Sequence, residues 1–362
     1  MLKIRDSVVS VASVDGGPQY ASRIMVTVSD GMSAGSHHGD ACRHCEKSSA
    51  RRPTFLMGIL VVMIFFLMGC SVKKMAMRQV GDALAGTGST FSSENDPELV
   101  REALPFSLKL MEGLLSEIPD HQGLRLATTS AYVQYAYAFL QLDADILDDT
   151  DFEAAQALRK RAVNLFKRAR DYGLSGLEIR LPGFYQQLQS SPEEAIKRLQ
   201  VEEVPILYWT SAAWAGWINL SKEHPDRIAE IPMMEALMDR ALALNGAWND
   251  GAIHNFMITY AFGRQGVDQE PVEVATHHYR MAMEYAQGRQ LGPHVAMAES
   301  VAIQTQDSQL FRKLLGKALA FDVDACPETR LVNLLMQRRA QWLLDHEDDL
   351  ILPDLEDLPV IE

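Results

Sequence analysis

Apolar residues recur at three- and four-residue steps along most of this chain. From Asp96 onward the spacing predicts helices almost without interruption. Asp96-Pro97-Glu98 reads as a helix start, with an N-cap acid, proline at the first helical position and a further acid suited to the dipole. Leu104, Leu108, Met111 and Leu115 then mark one buried face, and Pro105 within the same helix deletes one backbone hydrogen bond. A second helix carries Ala127, Ala131, Tyr135, Ala138, Phe139 and Leu142. Long β-branched runs of alternating polarity are missing, so the expected fold class is all-α.

A spacing of small residue, three positions, aromatic, two positions, small residue occurs at Ala162/Phe166/Ala169 and at Ala275/Tyr279/Ala282. Met234/Met238/Ala241 and Phe311/Leu315/Ala318 follow it more loosely. Small residues let two helices approach, and the bulky one fills the gap to a neighbour. The later matches lie near 36 residues apart, which resembles the second helix of tetratricopeptide (TPR) repeats of about 34 residues. The pattern predicts TPR-like helical hairpins in a compact solenoid over 96–350, and ordinary helix-bundle packing is the alternative. Solenoids of this kind are mostly binding devices.

The other strong pattern precedes this region. Phe55 to Gly69 is an unbroken apolar run behind Arg51-Arg52, and it ends in Leu67-Met68-Gly69-Cys70. It is shorter than the roughly 20 residues a spanning helix needs, and Lys73 and Lys74 follow it. The arrangement resembles a bacterial lipoprotein signal, with cleavage before Cys70 and lipidation of its thiol. Ser71 in place of an acid points by the same resemblance to the outer membrane, facing the periplasm. Residues 1–69 are then a leader with Met25 or Met32 as alternative starts, 70–95 a flexible tether and 351–362 an acidic tail. Cys42 and Cys45, with His37 and His38, imitate half a zinc site, too little for a metal assignment.

The whole chain has 362 residues and a net charge of −14; from Cys70 onward 27 basic face 43 acidic residues, a net of −16. That balance opposes nucleic acid as a partner. Beyond Cys70 only Cys326 remains, so no disulfide is expected within the exported chain. No HExxH, G-x-S-x-G, phosphate-cradling loop or paired CxxC is present, which predicts neither an enzyme nor a cofactor. Cys326, before Pro327 and a new helix, has no identifiable base.

Binding candidates are few. Trp209, Trp214 and Trp217 fall within nine residues, Trp214 and Trp217 share one helical face, and Asn219 follows. They either fill a core beside small residues or line an apolar cavity or partner groove. His254 and His294 each stand near the start of an apolar helix, and Glu299 is either a buried carboxylate bonded to a helix end or a binding-site acid. His277 and His278 are adjacent, so on a helix they point apart.

Several stretches together carry a family resemblance: Asp96-Pro-Glu-Leu-Val-Arg-Glu-Ala-Leu-Pro-Phe-Ser-Leu-Lys109, Trp214-Ala-Gly-Trp217-Ile and Ala247-Trp-Asn-Asp-Gly-Ala-Ile-His254. Gly292-Pro, Ala298-Glu-Ser-Val and Arg330-Leu-Val-Asn333 through Arg339-Ala-Gln-Trp342-Leu-Leu344 continue it. Their order is similar to that of the T-component proteins of TRAP (tripartite ATP-independent periplasmic) transporters. The resemblance implies a TPR-like periplasmic lipoprotein that forms a homotrimer with a central pore-like feature. It also implies contact with the solute-binding P-component and handling of a hydrophobic small molecule. The alternative function is a generic TPR adaptor lipoprotein for cell-envelope assembly.

Overall fold

Asp96 caps its helix as its sequence position demands, its carboxylate accepting from the backbone N–H of Glu98 at 3.0 Å and of Leu99 at 3.1 Å. The computed structural model describes residues 72–266 and 268–352. Among these, every regular element is helical. In chain order they are α1 (72–85), α2 (Gly88–Ser92), α3 (Pro97–Glu117), α4 (Gln122–Ala136), α5 (Leu142–Leu147) and α6 (Phe152–Arg180). Next come α7 (Phe184–Ser190), α8 (Pro192–Ile196), α9 (Val204–Asn219), α10 (Pro225–Ile228), α11 (Ile231–Asn245) and α12 (Trp248–Tyr260). The remainder are α13 (Pro271–Ala286), α14 (Gly292–Met297), α15 (Ile303–Thr305), α16 (Ser308–Leu319), α17 (Arg330–Asp345) and α18 (Glu347–Leu350). Pro105 lies inside an uninterrupted α3.

The segment expected to be a tether differs from that expectation, since it carries α1 and α2. Its Gly, Ser and Thr content suggested loop. Met77 and Leu84 nevertheless find apolar neighbours in a small cluster of Met111, Leu115, Ile118 and Leu124. Apolar burial outweighs the weak propensity of a few glycines, each worth about 1 kcal/mol.

α9 organises the body that runs from Met77 onward. It is apolar on every side, and such a helix must be buried. Accordingly Leu207 through Ile218 are all buried, and α4, α6, α11 and α12 pack around them. The repeated small and bulky positions also face inward: Ala162, Phe166, Ala169, Ala241, Ala275, Ala282, Phe311, Leu315 and Ala318 are fully buried. α17 returns to the beginning of the domain. There Arg330 donates to the Ser93 carbonyl at 3.0 Å, and Arg338 pairs with Asp143 at 3.3 Å.

Close approach of α6 and α9 depends on two glycines. A Cβ on Gly173 would lie 2.1 Å from Thr210 Oγ1, and one on Gly216 would lie 2.9 Å from the Phe166 ring. Thr210 is further fixed by its hydrogen bond to the Ile206 carbonyl at 2.5 Å. Overpacking costs about 1–3 kcal/mol, and alanine gains about 1 kcal/mol of helix propensity over glycine. Gly173→Ala is therefore expected to destabilise by up to about 2 kcal/mol. In urea titrations the midpoint should fall at constant slope, and adding Thr210→Ala should restore most of the loss.

Candidate functional site

The tryptophan helix gathers its polar partners from outside itself. Trp209 and Trp214 have no solvent exposure, and Trp217 is nearly enclosed. Trp214 Nε1 donates to Glu230 Oε2 at 2.7 Å, and Arg170 Nη1 donates to the same oxygen at 2.9 Å. The Arg170 guanidinium lies 4.1 Å from the Trp217 ring centroid and 5.4 Å from that of Trp214, with Arg227 4.9 Å from Trp217. Trp214 and Trp217 therefore share one cation, as their common face requires. Trp209 instead packs edge-on against Tyr208, with centroids 5.0 Å apart. Among the described residues, the indole N–H groups of Trp209 and Trp217 make no hydrogen bond. Asn219 ends α9 and is half-buried.

Glu299 is a largely enclosed carboxylate that pairs with an arginine. Arg339 Nε donates to Glu299 Oε1 at 2.6 Å, and Asp145 Oδ2 stands 3.4 Å from Arg339 Nη1. The side chain of Arg339 is 2 % exposed. Burial works against its charge, yet Glu299 and Asp145 outweigh that and hold it above the ordinary arginine range. Asp145 also faces Arg159 at 3.4 Å, and Asp148 accepts from Arg159 at 2.5 Å. Two π-helical turns, Tyr137–Gln141 and Ala298–Ala302, adjoin this network. One leads into the helix of Asp145 and the other contains Glu299.

His254 is one of a pair. Its Nδ1 lies 2.8 Å from Nδ1 of His278, so one imidazole donates and the other accepts. His277 is exposed while His278 is buried, which is the divergence expected of helical neighbours. His294 pairs separately, its Nδ1 2.9 Å from the Tyr279 hydroxyl. Just before His254 the backbone turns left-handed at Asn249 (φ 50), Asp250 (φ 55) and Gly251 (φ 82), and Asp250 is held there by Arg289.

Burial lowers His254 to about 4, helped by His277; it lowers His278 to about 4, with His254, His277 and Arg264 adding; and it lowers His294 to about 4, with Lys317 adding. The folded values lie below the unfolded value near 6.5, so the fold favours the neutral rings. Stability from these groups is complete above pH 6.5 and is lost as pH falls through that window toward 4. His294, the one not coupled to another histidine, contributes on the order of 3 kcal/mol. Urea midpoints measured from pH 7 to pH 4 should therefore fall steeply, and His294→Gln should flatten its share of the slope.

A polar cleft of about 660 Å³ lies between α3 and α6, lined by Glu112, Asn164, Lys167, Arg168, Asp171 and Tyr172 with Ser175. Its charges are matched internally. Tyr172 donates to Glu112 at 3.2 Å, Arg168 lies 3.4 Å from the same carboxylate, and Lys167 pairs with Asp171 at 2.8 Å. Burial opposes the charge of Glu112, but bonds from Lys109 and Tyr132 and the charge of Arg168 hold it below the usual carboxylate range.

Arg339, Asp145, Arg170 and Glu230 escaped sequence reasoning, although Arg339 stands among the core positions Leu335, Met336, Trp342 and Leu343. A charge on an apolar face was the available signal. Cys42, Cys45, Cys70 and the apolar run 55–69 lie outside the described residues. Among those described, no group of three His, Cys, Asp or Glu is placed to hold a metal. No helix among them is long and apolar enough to cross a membrane.

The sequence is similar to known proteins over most of its length. An uncharacterized protein of Treponema pallidum (strain Nichols) is 29% identical over 305 residues, covering 78% of this chain and 94% of the relative. The family model described as TRAP transporter T-component matches residues 93–351, from just before the Asp96 cap to the end of α18, the last helix among the described residues. The chain belongs to the TRAP transporter T-component family.

Proposed function

We propose that this protein is a non-enzymatic accessory lipoprotein of a TRAP uptake system. It is held at the periplasmic face of the outer membrane by lipid on Cys70, and its TPR-like helical body docks the solute-binding P-component. The observation that carries this reading is the family match over 93–351, which spans nearly all of the helical body. A buried apolar central helix, with charges paired inside the surrounding body, suits a rigid scaffold that presents its outer surface to partners.

Handling of an apolar solute is a second element of the reading. It is favoured by the buried indole N–H groups of Trp209 and Trp217, which a guest bearing an acceptor would satisfy. Detergent extraction of the protein from its native membrane, followed by affinity purification, tests the main proposal. The P-component should be recovered with it. Recovery of only barrel-assembly or peptidoglycan proteins would favour an envelope-assembly adaptor and overturn the TRAP reading.

A further inference from the structure

Between Glu153 and Asp171 the chain carries six basic residues and no acid, within a sequence whose net charge is −14. Two of the six are engaged within the body, Arg159 by Asp145 and Asp148 and Arg170 by Glu230. The other four, Lys160, Arg161, Lys167 and Arg168, are exposed. At 100° per residue they fall within about 120° of arc centred on Asn164. Ala162, Phe166 and Ala169, all fully buried, lie on the opposite side. α6 thus turns one face to the core and a basic stripe to solvent.

Only part of the stripe is neutralised. Lys167 pairs with Asp171 at 2.8 Å, and Arg168 stands 3.4 Å from Glu112. No carboxylate among the described residues pairs with Lys160 or Arg161. Lys167 and Arg168 also line the cleft between α3 and α6, which continues the stripe as far as Ser175. A headgroup entering that cleft meets two cations and the Tyr172 ring.

Position decides the partner. Met77 and Leu84 of α1 pack against Met111, Leu115, Ile118 and Leu124, and Tyr172 packs against the same cluster. The chain leading from Cys70 therefore joins the body beside the half of α6 that carries the cleft. Seven residues separate Cys70 from Met77, and fully extended they span at most about 25 Å. On the reading that Cys70 carries lipid, this end of the body stays that close to a bilayer. A tether so short raises the effective concentration of headgroups at the stripe. From Cys70 onward 27 basic face 43 acidic residues, so an anionic surface repels the rest of the molecule and selects this face.

We infer that the basic face of α6 rests on an anionic phospholipid surface, its ammonium and guanidinium groups against headgroup phosphates. Each such cation near an anionic membrane contributes about fivefold in affinity. An acidic protein would meet the same charges, but only the bilayer is brought to this end by the tether. The contact orients the body on the membrane and weakens as salt rises.

Photocrosslinking on the full chain tests this. p-Benzoylphenylalanine in place of Asn164, between the four cations, should label radioactive phosphatidylglycerol. The detergent-extracted protein is reconstituted for this into vesicles of phosphatidylethanolamine and phosphatidylglycerol. Labelling should fall by about tenfold or more with Lys160→Glu and Arg161→Glu together. Labelling of lipid should be comparably weak in phosphatidylcholine vesicles. Both residues are exposed, so circular dichroism should show the double variant folded. No lipid crosslink, a crosslink indifferent to the charge reversal, one equally strong in phosphatidylcholine, or a crosslink to protein instead of lipid in native membranes would each overturn the inference. Mass spectrometry of the Cys70 peptide separates this from the anchor. Unmodified Cys70 with the crosslink intact would overturn the anchor and leave the α6 contact standing, and lipidated Cys70 without the crosslink would do the reverse.

Discussion

Replacing Arg339 with methionine is expected to destabilise the protein by about 3–5 kcal/mol, the cost of removing one member of a buried ion cluster. Methionine fills much of the arginine's volume, so the loss is electrostatic rather than a cavity effect. Asp145 keeps Arg159 at 3.4 Å, whereas Glu299 loses the guanidinium that sits 2.6 Å from its oxygen. Adding Glu299→Gln to Arg339→Met should therefore recover a large part of the stability. Urea unfolding of the two single variants and the double gives the coupling directly. Equal losses in the single and double variants would show that Arg339 acts through packing alone.

Trp214→Ala is expected to cost about 3–5 kcal/mol through the cavity it opens beside α9. Trp214→Phe keeps most of the volume but strips Glu230 of the indole donor at 2.7 Å, and should cost about 1 kcal/mol. Thermal denaturation followed by far-UV circular dichroism measures both. The two variants also separate the alternatives for this helix. A core tryptophan lowers the midpoint when truncated, while one that serves chiefly as a cavity wall leaves the midpoint in place and weakens solute binding.

Helix existence was legible in the chain because apolar spacing recurs along it and some starts, such as Asp96, carry a capping side chain. The Asp96 cap and the buried small–bulky positions of α6 and α16 are examples. Trp214 and Trp217 sharing a face followed from three-residue spacing alone. What they share that face with did not, since Arg170 comes from α6 and Glu230 from the turn before α11, with no local signal joining them. The Arg339 network is hidden more deeply. Its members lie in three segments spread over nearly two hundred residues, and only the return of α17 brings them together. α1 was misread for the opposite reason, because local composition suggested a loop where distant apolar partners made a helix worthwhile.

Docking of the solute-binding component of a TRAP system by this helical body is the central proposal. Titrating the purified protein with the P-component of the same transporter, by calorimetry or an immobilised-partner assay, measures that contact. Saturable binding with a fixed stoichiometry, preserved in folded variants such as Trp214→Phe, is the result the account predicts. A flat titration against a P-component shown to bind its own solute would contradict it.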